Sequence, residues 1–170
     1  MKKIILVIVV LMSVFTTSLF AQKGKLGHIN SSDLLALMPE RAEAEKQLQN
    51  YSKELEEQLN LMNQEFQTKY NDYIAKQDSM STAIRQMKEE ELQSLQQRIQ
   101  TFQATAQQDL QTKQEELLQP IIDKAKIAIK EVAKELGYTW VFDTSLGSLV
   151  VWPDNNDNLL EPVKKKLGIQ

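Results

Sequence analysis

Tyr138-Thr139-Trp140-Val141-Phe142-Asp143 is the segment that constrains this chain most. It is β-branched and aromatic, it follows Gly137, and it runs into Thr144-Ser145-Leu146-Gly147-Ser148, so it predicts a strand ending in a turn. Leu149-Val150-Val151-Trp152 comes next, before Pro153, and the natural reading of the two runs is a β-hairpin. Tyr138, Trp140 and Phe142 share one face, yet Val141 on the other face is also apolar. In the second run Leu149 and Val151 oppose Val150 and Trp152. Strands that are apolar on both faces are buried on both.

Upstream, Ile121 to Leu136 reads as a helix closed by Gly137 in a left-handed cap, with Pro120 interrupting or kinking the helix that enters it. From Pro39 to about Gln119 there is no further Gly or Pro, and Gln, Glu, Leu, Lys and Ala dominate. Apolar or aromatic residues fall at Leu48, Tyr51, Leu55, Leu59, Met62, Phe66, Tyr70 and Tyr73, in steps of 3 and 4 that repeat every 11 residues. Ile84, Leu95, Ala106 and Leu117 are also 11 apart, beside Ile99, Leu110 and Ile121, with Phe102 on the same face. An 11-residue period is about 3.67 residues per turn, so the seam stays nearly straight or drifts right-handed. The pattern weakens between Gln77 and Thr82, where a turn is expected. Two antiparallel helices of about 40 residues, each on the order of 60 Å long, follow from this, with one continuous helix as the rival.

At the front of this region, Lys25 to Asn30 is strand-like and Ser31-Ser32-Asp33 starts a helix through Leu34-Leu35-Ala36-Leu37-Met38. Pro39 ends that piece and can open the next helix. At the far end, Asp154 to Asn158 is a polar loop and Leu159 to Leu167 a last helix, ended by Gly168. The helices at 34–38, 121–136 and 159–167 suffice for one face of a three-stranded sheet. Nothing remains for the other, because residues 40–119 form an arm. Three strands cannot close a barrel, so more than one copy must pool its sheets. The expected body contacts are Leu26, Ile29, Trp140, Val141, Phe142, Leu149, Val150, Val151 and Trp152.

Met1-Lys2-Lys3, the apolar run Ile4 to Phe20 and the small Ala21 have the order of a secretory signal peptide cleaved near Ala21. An uncleaved anchor is the alternative, since roughly 17 apolar residues is the lower limit of a membrane span. Export would place the chain in an oxidising compartment, yet it has no cysteine, so packing or assembly must stabilise it. Without residues 1–21 it carries 18 basic and 23 acidic residues, a net of −5.

These residues show no enzyme. Gly24-Lys25 has no glycine-rich cradle for phosphates. His28 is the single histidine, and its expected role is packing. Glu89-Glu90-Glu91 and Glu115-Glu116 point about 100° apart on a helix and read as a solvated face. Lys164-Lys165-Lys166 is too short for nucleic acid. No cofactor and no metal is expected. Met62, Phe66, Tyr70, Tyr73, Met80, Met87 and Phe102 offer adaptable contacts to a bound chain, or else pair the two arm helices.

Gln119 to Asp143, read with Gly27-His28-Ile29-Asn30-Ser31-Ser32-Asp33-Leu34-Leu35 and Asn158 to Leu167, resembles the Skp/OmpH family of periplasmic chaperones, in order along the mature chain. The resemblance implies an α+β, mainly α fold: a long antiparallel helical-hairpin arm on a small β body completed by trimerisation. The expected boundaries are a signal peptide at 1–21, body at 22–38, arm at 39–119 and body again at 120–170. The implied function is an ATP-independent periplasmic holdase, binding unfolded outer-membrane β-barrel proteins in a cage between the arms. Its implied partners are those clients, two further copies of itself, and a membrane surface during client handover. Arms hinged at Pro39 and Pro120 would let the cage adapt to its client. One departure concerns charge: residues 39–119 carry 9 basic and 15 acidic residues, whereas the best-known member is strongly basic. A structural coiled-coil adaptor of the cell envelope is the second reading, and an exported hydrolase the third.

Overall fold

The computed structural model describes residues 24–147 and 157–169. Its elements are β1 (Lys25–Ile29), α1 (Ser31–Leu37), α2 (Pro39–Lys76), a 3-10 turn (Gln77–Ser79), α3 (Thr82–Glu135), β2 (Tyr138–Asp143) and α4 (Leu160–Leu167). They divide into two compact units: a hairpin of residues 32–127, and a body formed by residues 24–31, 128–147 and 157–168. The fold is mainly helical with a small sheet, as the family resemblance implied.

Pro39 occupies the first turn of α2, where a missing N–H costs nothing. The helix runs 38 residues, about 57 Å, before the 3-10 turn. Ser79 Oγ donates to the Lys76 carbonyl at 2.8 Å, so the hydroxyl satisfies a helix-end acceptor. The Ile84 N–H donates to Ser81 Oγ at 3.4 Å, which caps the start of α3. Lys69 pairs with Glu91, Tyr73 with Glu89, and Glu40 with Lys124, so residue numbers rise along one helix as they fall along the other. Those pairings establish the antiparallel hairpin and exclude a single continuous helix.

Pro120 lies inside α3 and does not end it, which corrects the expected interruption. A proline deletes one helical hydrogen bond, and strong helix formers on both sides keep the helix in register. Ile121 and Ala125 in the next turn are buried and anchor it, while Pro120 is exposed. α3 is therefore 54 residues long rather than about 40.

In the body, β1 and β2 pair in parallel, with Leu26 opposite Trp140, His28 opposite Phe142 and Ile29 opposite Asp143. The register slips between Lys25 and Leu26. On the free side of β1, His28 forms a single bridge to Asn158, and the Leu159 N–H donates to the His28 carbonyl at 2.9 Å. Asn158 Oδ1 accepts from the Leu160 N–H at 2.9 Å and starts α4. Lys166 then joins α4 to α3 through Glu135 at 2.7 Å and Glu131 at 3.1 Å. Ala128, Val132, Leu159, Val163 and Ile29 make the buried core of this unit. Gly137, with φ 74°, ends α3 in the left-handed conformation that a side chain resists. The expected strand Leu149–Trp152 and its hairpin lie outside the described residues.

Gly27 is the tight point of this core. A Cβ there would stand 2.5 Å from Leu159 Cδ1 and 2.8 Å from Tyr138 Cδ1. Leu159 is fully buried and has no room to move aside. Gly27→Ala is therefore expected to destabilise the protein by about 1–3 kcal/mol, the usual range for overpacking. A urea melt followed by Trp fluorescence checks it, and an unchanged midpoint would contradict it.

Candidate functional site

Two surfaces carry the candidate functional residues, and each belongs to one unit. On the hairpin, the expected seam is where the sequence period placed it. Leu48, Tyr51, Leu55, Leu59, Met62, Phe66 and Tyr73 are all half-buried, and across from them Leu95 and Ile99 are buried. Of the seven candidate client-contacting residues, Met62, Phe66, Tyr73, Met80 and Phe102 are half-buried, while Tyr70 (43% exposed) and Met87 (56%) are open to solvent. Ile74 and Ile84 are exposed near them, so the turn end of the hairpin shows several apolar side chains. The Phe66 and Tyr70 rings stack with centroids 6.1 Å apart. Pro39 and Pro120, the expected hinges, sit at the first turn of α2 and within α3.

Charge fixes the turn end of the hairpin. Glu91 accepts from Lys69 on the facing helix and from Lys88 at 3.0 Å on its own. Those two ammonium groups, Lys69 foremost, pull its carboxyl down to about 2 from the usual 4.5. The same bond raises Lys69 above its ordinary range. Tyr73 donates to Glu89 at 2.5 Å, and that bond to a carboxylate raises the phenol. At the other end of the hairpin, Lys124 holds the Glu40 carboxyl below its ordinary value. Nothing in the sequence period points to these cross-helix pairs, because they need the register of the hairpin.

The body presents the second surface. Trp140 is 64% exposed, and Leu26 and Phe142 beside it in the sheet register are also exposed. Val141 is half-buried. Ile29, expected among the contacts between copies, is 2% exposed and so is buried within the chain itself. Leu149, Val150, Val151 and Trp152 lie outside the described residues.

At the end of β2, Asp143 gathers several donors that sequence reading missed. Ser31 Oγ donates to Oδ2 at 2.5 Å, and the N–H groups of Ser31 and Ser145 donate to Oδ1 at 3.1 and 3.0 Å. Burial pushes this carboxyl up, but the Ser31 and Ser145 bonds outweigh it and hold the group below its ordinary range. His28 is buried, and burial lowers its pKa, with the Asp157 charge offsetting only part of that. Tyr138 donates to Asp157 at 3.1 Å and carries Lys25 over its ring at 3.9 Å. These groups tie strand ends to helix starts. Among the described residues, no set of three or more His, Cys, Asp or Glu is placed to hold a metal, and no helix is long and apolar enough to cross a membrane.

The family model described as "Outer membrane protein (OmpH-like)" matches residues 25–167. The chain belongs to the OmpH-like family. That match takes in both units, from β1 to the last residue of α4. A solved structure of a candidate outer membrane chaperone (OmpH-like) from Caulobacter crescentus CB15 superposes with a TM-score of 0.73 at 12% identity, over 85% of this chain and 83% of that one. At that identity the likeness is one of fold. No curated protein matches the sequence.

The Glu91 cluster makes a signed prediction. A carboxylate held near 2 contributes its stability fully above about 4.5, and loses it as the pH falls toward 2. Glu91→Gln removes that dependence, so urea midpoints followed by far-UV circular dichroism should differ between the two proteins above pH 4.5 and converge near pH 2. Parallel curves at all pH values would show that the cluster contributes nothing.

Proposed function

We propose that this OmpH-like chain is a periplasmic holdase chaperone that works without ATP. It associates with further copies through the Leu26, Trp140 and Phe142 face and holds unfolded outer-membrane β-barrel proteins against its arms. Export by a leader at residues 1–21 belongs to the same reading. The observation that carries it is the hairpin itself: two long helices bearing exposed apolar side chains toward the turn. A holdase needs no deep pocket. Many weak contacts presented by several linked arms retain an unfolded chain through effective concentration. The description of the Caulobacter crescentus structure as a candidate outer membrane chaperone supports the same reading. Three copies are what the family resemblance implies; the exposed sheet face asks only for more than one.

The test is dilution of a urea-unfolded outer-membrane β-barrel protein into buffer with the mature chain, followed by light scattering. Aggregation should be suppressed at near one assembly per client, without nucleotide. Trp140→Glu, which puts a charge on the sheet face, should abolish most of that suppression while leaving the helical circular dichroism intact. Undiminished aggregation, together with copurification of one folded envelope protein, would favour the adaptor reading.

A further inference from the structure

Between the root and the middle of the hairpin, α2 and α3 leave a groove along one flank. Two adjoining hollows of about 520 and 540 Å³ share Ser52, Glu56 and Leu110, and so form one trough. Its floor is apolar, made by Leu55 and Leu59 from α2 with Phe102, Ala106 and Leu110 from α3. Ala106 is the smallest side chain on that floor, so a bulky one there would take up part of the hollow. The second hollow carries the trough on to Leu48. From Leu48 to Leu59 the helix axis advances about 17 Å. That is the length of about five residues of extended chain.

The walls are amides and carboxylates. Gln103 and Gln107 line one hollow and Gln49 the other. A glutamine amide offers both donors and an acceptor. Such groups suit an extended backbone, whose N–H and C=O groups are unpaired, better than a helix, whose groups are already used. Of the charged residues on the rim, Glu45 is engaged by Arg41 at 2.8 Å and Lys53 by Glu57 at 3.7 Å. Glu56 accepts only from Ser52 Oγ, at 3.4 Å, and pairs with no cation among the described residues. The surrounding segment, residues 39–119, is acidic by six charges.

We infer that this groove holds an extended apolar segment of an unfolded polypeptide, with a lysine or arginine of that segment placed on Glu56. The inference rests on the holdase reading and gives it a client chemistry: apolar stretches next to a basic residue are retained, and those next to an acidic residue are rejected. Uncompensated negative charge along the arm gives discrimination by repulsion as well as attraction.

The experiment uses the mature protein and a short fluorescent peptide, unstructured and apolar, with one central lysine, glutamine or glutamate. Anisotropy should rank the peptides lysine over glutamine over glutamate. Glu56→Gln should weaken the lysine peptide by about three-fold, the scale of one exposed ion pair. That preference should fade with added salt. Ala106→Phe, which fills the floor, should weaken all three. Equal binding of the lysine and glutamate peptides, or a lysine peptide indifferent to Glu56→Gln, overturns the inference. So does an Ala106→Phe variant that changes the number of copies in the assembly and leaves peptide affinity alone, for then the groove seats a second chain. Aggregation assays on the same samples separate the two ideas: failure of the unsubstituted protein to protect a client strikes at the holdase reading, whereas protection without charge preference strikes only at the groove.

Discussion

A parallel pair of strands cannot be joined by a tight turn, and here the pair is β1 with β2, at residues 25–29 and 138–143. The chain between them must cross over, and here it does so through α1 and the two long helices of the hairpin. The same pairing sets the central problem of the body. One side of this small sheet carries Ile29, which is buried, as are Val132, Leu159 and Val163 of the same unit. The other leaves Leu26, Trp140 and Phe142 in water. Covering those three would contribute about 3–4 kcal/mol per copy, a large share of the stability of a small domain. Exposed apolar area of this kind marks an interaction surface.

The hairpin is governed by different physics. It has too little width to bury a core, so its seam stays half-buried along most of its length. Exposed ion pairs such as Arg41–Glu45 and Lys113–Glu116 add little each. Stability there comes from the apolar seam and from the good helix formers that dominate α2 and α3, with the Lys69–Glu91–Lys88 cluster holding the register near the turn. Surface chemistry is consequently free to vary, and in this chain it is acidic and rich in glutamine. That freedom is what lets a groove acquire a preference without disturbing the fold.

Much of this is legible in the sequence. The 11-residue step located the seam because only one helix period satisfies it. The polar cluster after Gln77 located the turn, because apolar contacts lapse there. Gly137 and Gly168 ended helices for the backbone reason that makes glycine unusual, as their φ values of 74° and 72° show. What escaped was everything that depends on two distant segments meeting. Asp143 binding Ser31 and Ser145, Gly27 pressed under Leu159, and Glu91 between two lysines have no local signature. Ile29 is buried within the chain, which alternation alone does not tell, since it says which residues share a face but not which face is covered. Pro120 signals an interruption or a kink by local rule, but the long helical run on either side of it outweighs that rule and the helix continues.

The claim on which the functional account rests is that one copy cannot hide its own sheet. Size-exclusion chromatography with light scattering on residues 22–170 at micromolar concentration measures this directly. The account predicts a discrete assembly of more than one chain, three if the family pattern holds. A well-folded monomer that stays soluble and melts cooperatively at that concentration would contradict it.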